Sequence, residues 1–191
     1  QYNGPIVLLV PDTPTSMRLR EELQFFSNQE TLFPVFQFPD WETLPYDAFS
    51  PHHDIISERL ATLYRLSELK TGVLVVPITT AMVRLPPQQY LLANTFLLER
   101  GDALNLDDIR RRLERAGYRY VSQVIEHGEF SVRGSLLDLF PMGTVAPYRI
   151  DFLDNEVDTI RTFDPETQRS FDKVDHLRLI PAREFPTNEA G

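Results

Sequence analysis

The chain has no cysteine, two lysines (Lys70 and Lys173), one tryptophan and eight glycines in 191 residues. Without cysteine there is no disulfide framework, no thiolate metal site and no cysteine nucleophile, which excludes zinc ribbons and cysteine hydrolases. Lys70 precedes Thr71 and Lys173 precedes Val174, and neither lysine follows a glycine-rich turn, so no GxxxxGK[ST] phosphate-binding loop is present. No GxSxG elbow occurs either, the nearest run being Gly134-Ser135-Leu136-Leu137. Basic charge is also scarce: 19 Lys and Arg stand against 28 Asp and Glu, a net charge of -9. That is the wrong sign for a protein whose main task is to neutralise nucleic-acid phosphates. Long apolar runs are missing as well. Ile6 to Val10 (IVLLV) and Val73 to Val76 (VLVV) are far shorter than the roughly 20 residues that span a bilayer.

What is present reads as a globular chain, 42% apolar and long enough for one large or two small domains. The opening QYNGPIVLLV has no initiator Met or basic leader and runs directly into what reads as a buried strand, so the chain is expected to be a piece of a longer polypeptide. Up to about residue 94, short apolar runs alternate with amphipathic stretches, the pattern of βα units around a mostly parallel sheet. A helix starting near Pro14 offers Met17, Leu19, Leu23 and Phe26 as a partial apolar face. A second, Asp54 to Leu69, places Ile56, Leu60, Leu63 and Leu66 on a buried stripe, with Glu58, Arg59 and Arg65 largely elsewhere.

From about Thr95 strands dominate: TFLLER, then the charged helix LDDIRRRLERA, then EFSVRG, SLLDLF, YRIDFL, EVDTIRTF and HLRLI. Closely spaced strands with turns between them predict an antiparallel meander with one helix packed on it. The expected architecture is an α/β domain at 1–94, an α+β domain with a mainly antiparallel sheet at 95–180, and a linker at 181–191. The second domain carries 12 basic and 16 acidic residues, so it is not a hidden basic half.

Several groups invite a chemical reading. His52-His53-Asp54 are metal-ligand types, but adjacent residues project differently, and a helix cap with Asp54 near the N-terminus is the simpler reading. Asp40, Glu42 and Asp47 read as loop carboxylates. In EFSVRG, alternation sets Phe130 and Val132 on one face and Glu129, Ser131 and Arg133 on the wetter one. In YRIDFL, Tyr148, Ile150 and Phe152 share the apolar face, leaving Arg149, Asp151 and an apolar Leu153 opposite. Arginines beside a stranded leucine form a protein-docking pattern; the alternative is that Arg149 simply pairs with Asp151 or a cross-strand acid.

The long motifs DWETLPYDAFSPHHDIISERLATLYRL, GVLVVPITTAMVRLPP, AGYRYVSQVIEHGEFSVRGSLLDLFPMG and YRIDFLDNEVDTIRTFDPETQRS resemble the N-terminal UvrB-homology module of the bacterial transcription-repair coupling factors (Mfd). The helicase UvrB shares the GxFxVRGxxxDxFP pattern, whereas WETLPYD is similar to the coupling factors. The resemblance implies a degenerate, partial RecA-like first domain without nucleotide hydrolysis and a second domain that binds UvrA. It also implies a cytoplasmic, non-catalytic adaptor that needs no cofactor and recruits UvrA to stalled RNA polymerase. The ATP- and magnesium-dependent motor, the RNA polymerase contact and double-stranded DNA binding then lie elsewhere in the full-length family. It carries the UvrA-contacting role onto Arg133, Arg149 and Leu153, the last a position where relatives can carry an aromatic. The enzyme alternative is part of an active UvrB-type helicase whose phosphate-binding loop lies outside the chain. Direct DNA binding has little support, because PITTAMVRLPPQQYLLAN offers only Tyr90 and Arg84 for a strand-separating hairpin.

Overall fold

The computed structural model describes residues 4–30, 33–42 and 52–185, so Asp47 and positions 186–191 of the expected linker lie outside the described residues. The chain divides into two compact units, Gln1–Leu85 and Pro86–Gly191.

The first unit contains β1 (Pro5–Val10), α1 (Thr13–Glu30), β2 (Val35–Gln37), α2 (His53–Glu68), β3 (Gly72–Pro77) and α3 (Ile78–Ala81). Its sheet is parallel, ordered β1-β3-β2, with Pro5 opposite Gly72 and Val35 opposite Val73. All of β3, GVLVVP, is buried, as a continuous apolar run in the middle of a parallel sheet should be. On one face Leu19 and Leu23 of α1 pack against Val10, Val73 and Val75, while Met17 and Phe26 of the expected helical face are exposed. Gly72 has φ 145°, and a Cβ there would stand 2.7 Å from the Pro34 carbonyl oxygen. That carbonyl accepts the Val73 N–H at 2.9 Å, so the missing side chain lets β2 meet β3.

Helix α2 starts at His52, whose Nδ1 accepts the Asp54 N–H at 3.3 Å, with Asp54 in the first turn facing the positive end of the helix dipole. The buried stripe differs from the expected one at Arg59, which is fully buried together with Leu60 and Leu63. Its guanidinium lies 4.3 Å from the Phe38 ring centroid and 4.2 Å from that of Trp41, and Nη1 donates to the Pro39 carbonyl at 2.6 Å. The loop after β2 supplies the aromatic faces and acceptor that make burial of this cation tolerable.

The second unit contains α4 (Gln88–Ala93), β4 (Phe96–Glu99), α5 (Leu106–Arg115), β5 (Arg119–Tyr120), β6 (Glu129–Arg133), β7 (Leu136–Leu139), β8 (Tyr148–Leu153), β9 (Glu156–Phe163), β10 (Ser170–Val174) and β11 (His176–Leu179). Its main sheet is ordered β10-β9-β8-β7-β6-β5 and is antiparallel except for the pair β5–β6; β4 and β11 form a separate antiparallel pair. Helix α5 is capped by Asn105, which accepts the Asp107 N–H at 2.8 Å, and has Asp107 and Asp108 in its first turn and Arg112 and Arg115 in its last, charges matched to the dipole. Phe130, Leu137, Leu139, Ile150 and Ile160 alternate into the core and are essentially inaccessible. Some chain lies over the other side of the sheet too, where Val124, Phe140 and Phe163 form a smaller cluster. The fold is thus α/β with a parallel sheet, followed by an α+β unit with a mainly antiparallel one. No helix among the described residues is long and apolar enough to cross a membrane.

Candidate protein-docking site

The β6–β7 hairpin closes through Gly134 and Ser135, with Gly134 at φ 61°, the conformation a tight hairpin turn wants at its first central position. Nothing lies within 4 Å of a Cβ added at Gly134, so backbone conformation, not space, selects glycine there. A two-residue turn fixes register. Arg133 pairs with Leu136 and Ser131 with Asp138; across the next pair Asp138 meets Arg149 and Leu136 meets Asp151; beyond it Arg149 meets Arg161. Arg133, Asp138, Arg149, Asp151 and Arg161 thereby share the face opposite the apolar core.

Two arginines directly opposite each other repel, and on this face each is given its own carboxylate. Arg161 pairs with Asp151, which also accepts the Thr159 hydroxyl at 2.7 Å. Arg149 grips Asp138 bidentately, Nε to Oδ1 at 2.7 Å and Nη2 to Oδ2 at 2.9 Å. Its Nη1 donates to the Gln168 carbonyl at 3.1 Å and the Ser170 hydroxyl at 3.4 Å, and its guanidinium carbon sits 4.8 Å from the Phe163 ring centroid. The Asp138 hydrogen bond, opposed by burial and reinforced by the charge of Asp138 and then Asp151, pushes the Arg149 pKa above its already high ordinary value. From the diagonal position Arg133 Nη2 donates to the same Asp138 Oδ2 at 2.6 Å.

Exposure separates the members of this cluster. The Asp138 side chain is 2% exposed, Arg149 14% and Arg133 52%. Leu153, at the end of β8, is 65% exposed. It follows a register shift between Asp151 and Phe152 and precedes a turn in which Asp154 and Asn155 take φ 49° and 65°, the left-handed pair of a type I′ hairpin.

The expectation of a wetter face holds at Arg133 and not at its strand neighbours: Glu129 and Ser131 are buried. The segment ahead of β6 folds back over them. Ser131 Oγ donates to the Ser122 carbonyl at 3.3 Å, and the Glu129 carboxylate accepts the N–H groups of Ile125 (2.8 Å) and Glu126 (2.9 Å) and the Arg119 guanidinium (2.6 Å). Burial alone would raise the Glu129 pKa, but the Glu126 and Ile125 amides and Arg119 outweigh it and hold the carboxyl below its ordinary value.

Other groups resolve into structure. His127 Nε2 is 2.8 Å from the Thr144 carbonyl and its ring lies 4.0 Å from that of Phe140. Asp40 accepts the Thr79 hydroxyl at 2.8 Å and the Trp41 N–H at 2.8 Å. Among the described residues no group of three or more His, Asp or Glu is arranged to hold a metal ion. Asp138, which joins the two arginines, was not singled out from sequence. Its signal was available: an acidic residue between Leu137 and Leu139, at the specified aspartate of the GxFxVRGxxxDxFP pattern.

Comparison with known proteins agrees with this part of the chain. Residues 96–185, which include all of the cluster, match the UvrB interaction domain family. The whole chain is 53% identical to a transcription-repair-coupling factor of Haemophilus influenzae and 48% identical to that of Escherichia coli K12, in each case over 191 residues. A Staphylococcus aureus transcription-repair-coupling factor is 32% identical over 189 residues, 99% of the chain. In each of the three the matched stretch is 16% of the relative's own length. Over its whole length the chain is thus similar to 16% of the length of these transcription-repair-coupling factors, and its residues 96–185 match the UvrB interaction domain family.

Proposed function

We propose that the chain is a non-catalytic docking module that binds UvrA, and that in a full-length cytoplasmic protein it brings the excision-repair machinery to a stalled RNA polymerase. The observation that carries the reading is the cluster on one sheet face: a buried carboxylate shared by two arginines, one of them half exposed, within the UvrB interaction domain match. Arg133 uses one guanidinium nitrogen on Asp138, and its remaining N–H groups can make charge-assisted hydrogen bonds to carboxylates or carbonyls of UvrA. Leu153 supplies an apolar anchor, the kind of group that yields binding energy when its recess is desolvated. Arg149 completes the surface from beneath. Polymerase and DNA contacts belong, in this reading, to the rest of the full-length protein.

Titration of the chain against purified UvrA, wild type beside Arg133→Ala and Arg149→Ala, tests the proposal. Both substitutions should weaken binding. Wild-type affinity in both, with the fold intact by circular dichroism, refutes the assigned surface.

A further inference from the structure

We propose that Asp138 is the positioning residue of the docking surface: gripped by Arg149, it fixes Arg133 for the partner. This rests on the reading of Arg133 as a UvrA contact. A free arginine on a strand end samples many rotamers, and fixing one at an interface costs conformational entropy. Here that ordering precedes binding. The Asp138 carboxylate is 2% exposed and receives three guanidinium hydrogen bonds, two from Arg149 and one from Arg133. Arg149 in turn has every nitrogen engaged, the third by Gln168 and Ser170, and only 14% of its side chain reaches solvent.

The chain of support therefore runs from the β9–β10 turn, through Arg149, to Asp138, and ends at the one member of the trio with free donors and solvent around it. Neutralisation follows the same order. One carboxylate against two guanidiniums leaves a single net positive charge, and exposure puts it on Arg133. The surface so arranged offers one oriented cation, suited to an acidic or carbonyl group of the partner.

A double-mutant cycle tests this. Asp138→Asn, close in shape and without the charge, should weaken UvrA binding on the order of tenfold, and in an Arg133→Ala background it should change affinity by less than about twofold. Arg149→Lys, which keeps the charge and loses the bidentate grip, should behave alike and serves if Asp138→Asn does not fold. A merely structural role would give losses that add to that of Arg133→Ala, and additive losses overturn the proposal. The wild-type chain gives an independent reading: NMR of the Arg133 guanidinium in the absence of UvrA should show hindered rotation and slowed exchange, and a freely rotating signal overturns the proposal whatever the variants do. If Arg133→Ala alone binds like wild type, the docking reading itself falls, while the guanidinium signal still decides whether Asp138 holds Arg133.

Discussion

Replacing Leu153 by alanine isolates the apolar share of the docking energy, because this side chain is 65% exposed and makes little of the fold. Fully burying a leucine is worth about 1.5 to 3 kcal/mol; with two thirds of the side chain still in water, about 1 to 2 kcal/mol remains to be gained on docking. Alanine gives up most of that gain, so affinity for UvrA should fall by about 1 kcal/mol, roughly fivefold in Kd. Stability should move by less than about 0.5 kcal/mol, as expected for a surface substitution. The assay is calorimetric or anisotropy titration of wild type and variant at two salt concentrations. An apolar loss should be the same at both, whereas the loss from Arg133→Ala should shrink at high salt, where exposed charges are screened. Leu153→Phe adds apolar area and should hold or tighten binding. Wild-type affinity for Leu153→Ala, or a loss that varies with salt, refutes the anchor role.

Three further outcomes follow from the packing. Arg59→Ala removes a buried cation from between Phe38 and Trp41 and from the Pro39 carbonyl; it should cost the first unit about 3 kcal/mol, read by denaturant unfolding through Trp41, the sole tryptophan, and a loss below about 1 kcal/mol contradicts the assignment. Gly72→Ala forces a Cβ against the Pro34 oxygen, so the Val73 amide, which bonds that oxygen, should lose hydrogen-exchange protection. The Glu129 carboxyl is depressed in the fold, so its stabilisation is present above the unfolded-state value of roughly 4.3 and is lost as pH falls through the folded value. Glu129→Gln should therefore flatten the decline of the unfolding midpoint between about pH 5 and pH 2, and an unchanged acid limb contradicts the role given to the Ile125 and Glu126 amides.

The strands of the second unit were legible because their alternation is clean: Phe130 and Val132, then Leu137 and Leu139, then Ile150 and Phe152, each with polar residues between. The exposure of Arg133 and Leu153 follows from the same arithmetic. Partnership does not. Asp138 reaches both arginines only once the turn at Gly134 and Ser135 sets the register of β7, and period-two reasoning within one strand contains no register. Glu129 and Ser131 were misplaced for a related reason, since what covers them comes from a loop ahead of the strand. Arg59 shows the limit on a helix. Charge assigns it to solvent, yet Phe38 and Trp41, some twenty positions earlier, provide a place for it inside.

The strand order β1-β3-β2 also bears on how the chain acquires its fold. Pro5 pairs with Gly72, so the β3 neighbour of the first strand is made only after both long helices and the second strand. By contrast Arg133 meets Leu136 and Leu153 meets Glu156 across tight turns. Closing a long loop costs more entropy than closing a short one, and contacts between distant residues slow folding. The meander around Arg133 can therefore nucleate locally, whereas the parallel sheet must wait for its central strand, and during synthesis the β3 partner of IVLLV, residues 72–77, emerges only after both long helices.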